Sequence, residues 1–310
     1  MGMARKLRYV PEGGALVEVT CRTLHGRLLL RPSLELNGII GGVLGRALRL
    51  YPVRLIVHSW ASNHYHLLAW VEDARALARF MGYLNSNLAR EVSRLTGWSG
   101  KIWERRYQAI LVSEEEAAQV ERFAYVLSHG VKENLVGRLE EWPGVHAVGQ
   151  LLGGEPLTGY WFDRTQEYLA RRTRKKQQND PLQFATLETV ELVALPCWQH
   201  LSSEAYRERV AGLVKAIEED AAAARKRAGT EPFGREAILA QHPHTRPERI
   251  KKSPAPFVHA ATKATRKFFY GLYGEFVAAY RTAAEKLRAG NLAPGFPIGC
   301  FPPPMQFVGR

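Results

Sequence analysis

Apolar and polar positions alternate in several short segments of the first half of the chain, and each of these segments predicts a β-strand. The two-residue period runs through residues 15–23, 53–61, 64–71 and 101–112. The two central segments are separated only by the junction Ala61-Ser62-Asn63, which favours a tight hairpin between them.

Helical periodicity fills the gaps between these strands. Ser33 can cap a helix that runs to Tyr51, a second amphipathic helix covers 74–97, and Ser113 with Glu116 forms a capping-box pattern that opens a third helix ending near His129. The order strand, helix, strand, strand, helix, strand, helix predicts an α+β domain of the ferredoxin-like, split βαβ kind. We expect an antiparallel sheet with the helices on one face.

The composition of the sequence changes near residue 150. Residues 151–160 are typical of a linker, 171–180 are basic and polar, and 241–256 are rich in proline and basic residues. Two long helical patterns cover 202–229 and roughly 257–289, and a proline-rich tail follows. We therefore predict one domain over residues 13–150 and a mostly helical, basic C-terminal extension with proline-rich arms over 151–310.

Composition narrows the class of protein. The 310-residue chain has a formal net charge of +13, and such a surplus attracts polyanions, nucleic acid foremost. The three cysteines, Cys21, Cys197 and Cys300, form no CxxC pair, and we expect them to be structural. Without a signal-peptide pattern or an apolar run of about 20 residues, we expect a cytoplasmic protein that does not enter the membrane.

Two histidines stand inside the apolar segment 64–71. On a strand, residues i and i+2 point to the same side, so His64 and His66 project together. Two adjacent imidazoles can chelate a divalent metal, or each can simply hydrogen-bond to a neighbour.

A tyrosine and a third histidine occupy the helix that follows Ser113. Tyr125 and His129 are one turn apart, and they fall roughly opposite the apolar stripe of that helix. They are therefore available to a site, although the same spacing also fits two ordinary surface residues. The apolar stripe consists of Val120, Phe123, Ala124 and Leu127.

These motifs together resemble the HUH nucleases. In that superfamily a strand carries His-hydrophobic-His and a helix carries a catalytic tyrosine. NHYHLL (63–68) and YVLSHGVKENLV (125–136) are most similar to the single-tyrosine transposases of insertion sequences, in the REP-associated tyrosine transposase branch. The similarity covers roughly 13–148, including VEVTCRT, GRLLL and WERRYQAILV, and the tail resembles the C-terminal extension of longer members.

The resemblance implies a metal-dependent endonuclease and strand-transferase that acts on single-stranded or hairpin DNA, in DNA transposition or the processing of REP-type elements. Tyr125 would be the nucleophile and form a 5′-phosphotyrosine intermediate. His64, His66 and His129 would hold Mg²⁺ or Mn²⁺. One departure is that His129 stands where the family usually has Asn or Gln, which could shift the preference for the metal. The relatives act as monomers or homodimers.

Further residues are candidates for binding DNA. Cations beside flat aromatic rings suit a single strand, and the candidates are Trp103, Arg105, Arg106, Tyr107 and Lys132. Because a strand divides its side chains between two faces, some of them belong to the core instead. The basic runs RRTRKK and RIKK either add phosphate contacts or form solvated linkers.

Three further histidines do not belong to the predicted metal site. The second HxH, His242 and His244, lies in a proline-rich loop without an accompanying tyrosine helix, and we interpret it as structural; His58 is either a support for the site or a core residue.

Two alternative functions also stay open. One is a zinc-type metallohydrolase on nucleic acid, in which three histidines bind a reactive water. The other is a catalytically idle nucleic-acid-binding regulator that keeps the fold.

Overall fold

A five-stranded sheet forms the centre of the protein in the computed structural model, which describes residues 7–173, 180–248 and 256–303. The strand order is β2-β3-β1-β4-β7, and the first four strands are antiparallel to their neighbours. This order is that of a ferredoxin-like fold, so the predicted α+β class is confirmed. The short strand β7 pairs in parallel with β4, which makes the sheet mixed rather than purely antiparallel. The strands of this sheet are β1 (Ala15–Arg22), β2 (Val53–Ala61), β3 (His64–Val71), β4 (Gln108–Val112) and β7 (Val258–His259).

Two long helices cover one face of the sheet. Helix α1 (Leu34–Leu50) begins at Ser33, whose side chain accepts a hydrogen bond from the Leu36 amide. Helix α2 (Ala74–Thr96) ends at Gly97, whose left-handed backbone (φ 66°) suits glycine. Both helices follow the sequence-based prediction, and their apolar sides pack on the strand positions that include Val17, Val19, Tyr65 and Leu67.

Helix α3 (Glu116–Leu127) lies on the opposite face, so the expectation of helices on one face is wrong in this respect. The physical reason is that alternate strand positions on this side are also apolar. Leu16, Leu68 and Val112 would be exposed without a cover, and Phe123 and Val126 of α3 bury them. Leu195, Trp198 and Val210 from the second half of the chain complete this second core.

Two local predictions are wrong. Of the segment 101–112, only Gln108–Val112 forms a strand; Trp103 makes an isolated bridge to Thr23 instead. The capping box at Ser113 does not form either. Glu115 precedes the first residue of α3, and the Ser113 hydroxyl donates to the Glu115 carboxylate at 2.7 Å.

The second half of the chain packs against the first. The predicted linker near 151–160 contains the start of a hairpin of β5 (Leu157–Phe162) and β6 (Ala185–Val190), which lies across α1. Gly41 and Gly42 permit this approach: a Cβ on Gly42 would lie 2.2 Å from the Tyr160 carbonyl oxygen. Helix α6 (Ser203–Ala228) follows its predicted bounds closely, whereas α8 (Lys263–Arg288) begins later than expected. The helices after α3 are α4 (Val148–Leu151), α5 (Arg164–Thr173), α6 (Ser203–Ala228), α7 (Arg235–Ala240) and α8 (Lys263–Arg288).

The two ends of the central sheet differ. One outer strand is β7, which has 2 residues and lies against β4. On the far side, the amides of Ala147 and Val193 donate to β2 carbonyls at 3.0 and 2.8 Å. Residues from both halves of the chain therefore complete one sheet and two cores, and the proposed boundary near residue 150 stays a prediction. Among the described residues, no helix combines the length and apolar character needed to cross a membrane.

Candidate metal and nucleophile site

Three histidines converge on the α3 side of the sheet. His64 and His66 project from β3 on this side, and His129 follows the end of α3. One ring nitrogen from each of the three lies within 4.8 Å of the other two. His66 and His129 are buried, whereas His64 is partly exposed, so the cluster opens to solvent on one side.

Hydrogen bonds at Nδ1 define which nitrogen each ring can offer. His64 Nδ1 faces the Asn63 side-chain oxygen at 2.7 Å, His66 Nδ1 faces Glu18 Oε1 at 2.8 Å, and His129 Nδ1 faces the Tyr125 carbonyl oxygen at 3.0 Å. The Glu18 carboxylate and the Tyr125 carbonyl are acceptors. The Asn63 side chain also accepts here, because its amide nitrogen already donates to the Gly26 carbonyl. Each Nδ1 therefore carries the proton, and each Nε2 keeps its lone pair. The three Nε2 atoms form a suitable ligand set for a divalent cation, and Glu133 Oε1 lies 4.0 Å from that of His129.

Tyr125 lies directly beside the histidines of its own chain. Its ring centroid is 5.6 Å from that of His66 and 5.1 Å from that of His129. Two cations pack on the same ring: Arg122 Cζ is 4.4 Å and Lys132 Nζ is 4.1 Å from its centroid. The tyrosine predicted from sequence thus adjoins the predicted ligands, with positive charge around it.

A buried carboxylate supports the cluster from β1. Glu18 is 1 % exposed; besides His66, it accepts a hydrogen bond from Arg122 Nη1 at 2.7 Å. Glu18 therefore links a candidate ligand to the cation that packs on Tyr125. The sequence-based interpretation missed Glu18, Arg122 and Asn63. The available signal for Glu18 was a charged residue inside an otherwise apolar strand.

Electrostatics favour the neutral form of His64 and His66. Burial lowers the pKa of His66 well below its usual range, and the neighbouring His129, Arg122 and Lys132 lower it further. Burial and the other imidazoles do the same to the pKa of His64. Neutral imidazole is the form that binds a metal. Burial also raises the pKa of the Tyr125 phenol, which Glu18 raises further and Arg122 lowers.

The predicted DNA-binding residues separate into two groups. Tyr107 is buried in the core beneath Arg8, and Trp103 packs against Tyr65 while its indole donates to the Asn85 carbonyl at 2.9 Å. These two aromatic rings therefore have packing roles that account for their burial. The remaining candidates are exposed cations: Arg105, Arg106 and Lys132. The run RIKK lies outside the described residues, as do the last three residues of RRTRKK.

The histidines that the sequence placed outside the metal site lie away from the cluster. His244 donates to the Thr96 carbonyl at 2.8 Å and packs against Trp98, away from the cluster. His58 is fully buried on the α1 side, and neither of its ring nitrogens has a hydrogen-bond partner among the described residues. All three cysteines are free.

Solved structures similar to this chain include two transposases. One is a REP-associated tyrosine transposase bound to a REP hairpin; it is 15% identical, covers 50% of this chain and 90% of its own, and has a TM-score of 0.39. The other is a provisionally assigned transposase from Deinococcus radiodurans R1; it is 19% identical, covers 40% of this chain and 96% of its own, and has a TM-score of 0.28. No protein-family model and no curated protein matches the chain. At these TM-scores the likeness adds nothing to the argument for function, which rests on the geometry of the cluster.

Proposed function

We propose that the protein is a metal-dependent endonuclease and strand-transferase for single-stranded or hairpin DNA, of the single-tyrosine transposase type. The observation that supports this most directly is the packing of the Tyr125 phenol against His66 and His129, two of three imidazoles that each bring a ring nitrogen within 4.8 Å of the others. A nucleophile and a ligand set thus share one partly open site on a strongly basic protein.

In the proposed reaction, the Tyr125 oxygen attacks a backbone phosphorus and the bond from phosphorus to the 3′ oxygen breaks. The phenol releases its proton to water, and the departing oxygen takes up a proton. The products are a 5′-phosphotyrosine and a free 3′-hydroxyl. Attack of a 3′-hydroxyl on this phosphotyrosine reverses the step and joins strands. No external energy source is needed, because one phosphodiester bond replaces another.

The chain's own cations reduce the main electrostatic barriers. Ionising a tyrosine with a pKa near 10 at pH 7 costs about 4 kcal/mol, and burial adds to this cost. Arg122 lowers the pKa of Tyr125, and Lys132 lies on the same ring, where it can also attract the phosphate. A divalent metal on His64, His66 and His129 would supply Lewis-acid stabilisation of the charge that develops on the phosphoryl oxygens. Exposed Arg105, Arg106 and Lys132 are proposed to bind the DNA backbone.

The ligand set favours one of the two expected metals. Mg²⁺ and Mn²⁺ both suit oxygen ligands, but Mn²⁺ begins the transition-metal series whose affinity for nitrogen ligands rises towards Cu²⁺, so it accepts imidazole more readily than Mg²⁺ does. Because His129 contributes a third imidazole in place of an amide, we propose Mn²⁺ as the better of the two cofactors. Hydrogen bonds to Asn63, Glu18 and the Tyr125 carbonyl would hold the three rings in the ligating orientation.

The test is to incubate the protein with labelled single-stranded hairpins and Mn²⁺ or Mg²⁺, and to look for a covalent protein–DNA band after denaturation. We expect the band with the unmodified chain and with Tyr168→Phe, an exposed tyrosine on α5, but not with Tyr125→Phe or His64→Ala.

Two other results would each replace the proposal. Strand cleavage that persists in Tyr125→Phe without a protein-linked product would indicate a zinc-type metallohydrolase. Binding without cleavage, unchanged by Tyr125→Phe, would indicate an idle nucleic-acid-binding regulator.

A further inference from the structure

A pocket of about 410 Å³ lies between the turn that follows α3 and the second half of α6. Its volume is in the range of small-molecule sites. Apolar side chains form much of its wall, including Val131 from the turn and Ile217, Ala221 and Ala224 from α6. We call this the α3–α6 pocket. None of the three histidines of the metal site lines this pocket.

The α3–α6 pocket adjoins the candidate nucleophile through two residues. Lys132 lines the pocket and places its Nζ 4.1 Å from the centroid of the Tyr125 ring. Ser128 also lines it, and the Ser128 hydroxyl donates to the Tyr125 carbonyl at 2.8 Å. A strand with one phosphate at Tyr125 therefore passes within about a nucleotide of the pocket mouth, since a single strand can extend at about 6–7 Å per nucleotide, twice the 3.4 Å of the duplex.

Two cations line the α3–α6 pocket beside its apolar wall. Lys132 lies against Tyr125, and Arg225 of α6 donates from Nη2 to the Gly137 carbonyl at 3.2 Å. One acid, Asp220, also lines the pocket. The lining therefore combines apolar surface with an excess of positive charge, next to the candidate nucleophile.

An apolar wall beside positive charge fits a flat apolar ring that is attached to a phosphate, which is what each nucleotide of a DNA strand provides. A bare phosphate would leave the apolar wall of Ile217, Ala221 and Ala224 uncovered. We propose that the α3–α6 pocket takes one unpaired nucleobase of the DNA strand whose phosphate lies at Tyr125. This inference rests on the proposed function for the identity of the strand.

The test compares the affinity for bases with the affinity for backbone alone. Fluorescence anisotropy would measure binding of labelled oligonucleotides of about 20 nucleotides, made of dA, dC or dT, and of an abasic strand with the same phosphates. Tyr125→Phe serves as the parent so that no strand is cut. Ala224→Trp fills the pocket from an exposed position on α6. Ala222→Trp is the matched control, because it lies about 200° away around the same helix.

We expect Ala224→Trp to weaken binding of at least one base-bearing strand about tenfold, which corresponds to about 1.4 kcal/mol and lies within the value of one stacked base, and to leave abasic binding unchanged. Ala222→Trp should change neither affinity. Thermal unfolding of both variants checks that the fold is intact.

Equal affinities of the parent for base-bearing and abasic strands, or equal losses in the two Trp variants, would overturn the pocket's role. So would equal weakening of base-bearing and abasic binding by Ala224→Trp. If Ala224→Trp proved unfolded, photocrosslinking of a 5-iododeoxyuridine strand to the parent would decide: adducts in 128–134 or 217–230 support the proposal, and their absence refutes it. None of these measurements requires cleavage, so a missing covalent band would count against the nuclease function alone.

Discussion

Glu18→Gln should weaken metal binding although Glu18 contacts no metal. The carboxylate accepts from His66 Nδ1 at 2.8 Å and from Arg122 Nη1 at 2.7 Å, and it has no proton to donate. Glutamine offers one oxygen and one NH₂ group. If its oxygen stays with Arg122, the NH₂ donates to His66 Nδ1 and moves the ring proton to Nε2, the nitrogen needed for the metal. In the reverse orientation, the NH₂ group opposes the guanidinium.

The magnitude follows from this loss of orientation. Removing the partner that orients a metal-bound histidine typically reduces metal affinity 10- to 100-fold, or about 1.4–2.7 kcal/mol. Loss of the charge-assisted bond from Arg122 should also destabilise the fold by about 2 kcal/mol, because the Arg122 side chain is only 13% exposed. Both effects come from one carboxylate, but separate measurements distinguish them.

Isothermal titration with Mn²⁺ near pH 7, well below the unfolding temperature, measures the first effect, and thermal denaturation measures the second. Glu121→Gln is the control, since this exposed residue of α3 contacts His259 and not the histidine cluster. Its Mn²⁺ affinity should equal that of the unmodified protein. An affinity for Glu18→Gln within twofold of the unmodified value, in a folded protein, would refute the reasoning.

Three more predictions concern the core and the surface. Burial lowers the pKa of His58 to about 3, whereas the same histidine in the unfolded chain binds a proton near pH 6.5. The unfolding free energy contributed by neutral His58 is therefore fully present above pH 6.5 and decreases as the pH falls, by about 2 kcal/mol at pH 5. His58→Leu should remove this part of the difference in unfolding free energy between pH 7 and 5 in urea titrations; an unchanged difference contradicts it. Gly42→Ala should lower the free energy of unfolding by about 1–3 kcal/mol, because its Cβ would meet the hairpin backbone at 2.2 Å. Gly38→Ala, with nothing within 4 Å of its Cβ, should raise it by up to about 1 kcal/mol. Equal melting temperatures for the two variants would contradict this steric argument. Arg105→Ala should weaken single-strand binding and reduce the log–log salt slope by about 0.7, whereas Arg79→Ala, exposed on α2, should leave the slope unchanged; identical slopes in both variants argue against a phosphate contact at Arg105.

The elements that bear the site could be predicted because local periodicity determines them. The spacing of His64 and His66 places both on one side of a strand whatever the strand's partners are. The spacing of Tyr125 and His129 likewise places them one helical turn apart. Local pattern also gave the order of strands and helices, and hence the fold class.

The supports of the site depend on tertiary contacts that local pattern does not specify. Glu18 reaches His66 only because β1 pairs with β3 in a register that sets Glu18 opposite Leu68 and Thr20 opposite His66. His129 is buried, although its side of α3 was expected to be open, because the rings of His64 and His66 from β3 pack against it. Alternation in residues 101–107 resembled a strand, but Trp103 and Tyr107 instead insert into the core.

The flanking of β2 and β4 limits how two copies of the chain can associate. Unpaired outer strands are common places for molecules to join, because their free amides and carbonyls can continue the ladder into another chain. Here residues 145–147 and Val193 occupy the far side of β2, and the outer strand at the other end, β7, has only 2 residues. A dimer built by continuing the ladder would have either to displace the cover of β2 or to pair with this two-residue strand. Side-chain surfaces, rather than shared backbone pairing, are therefore where a homodimer interface should be sought.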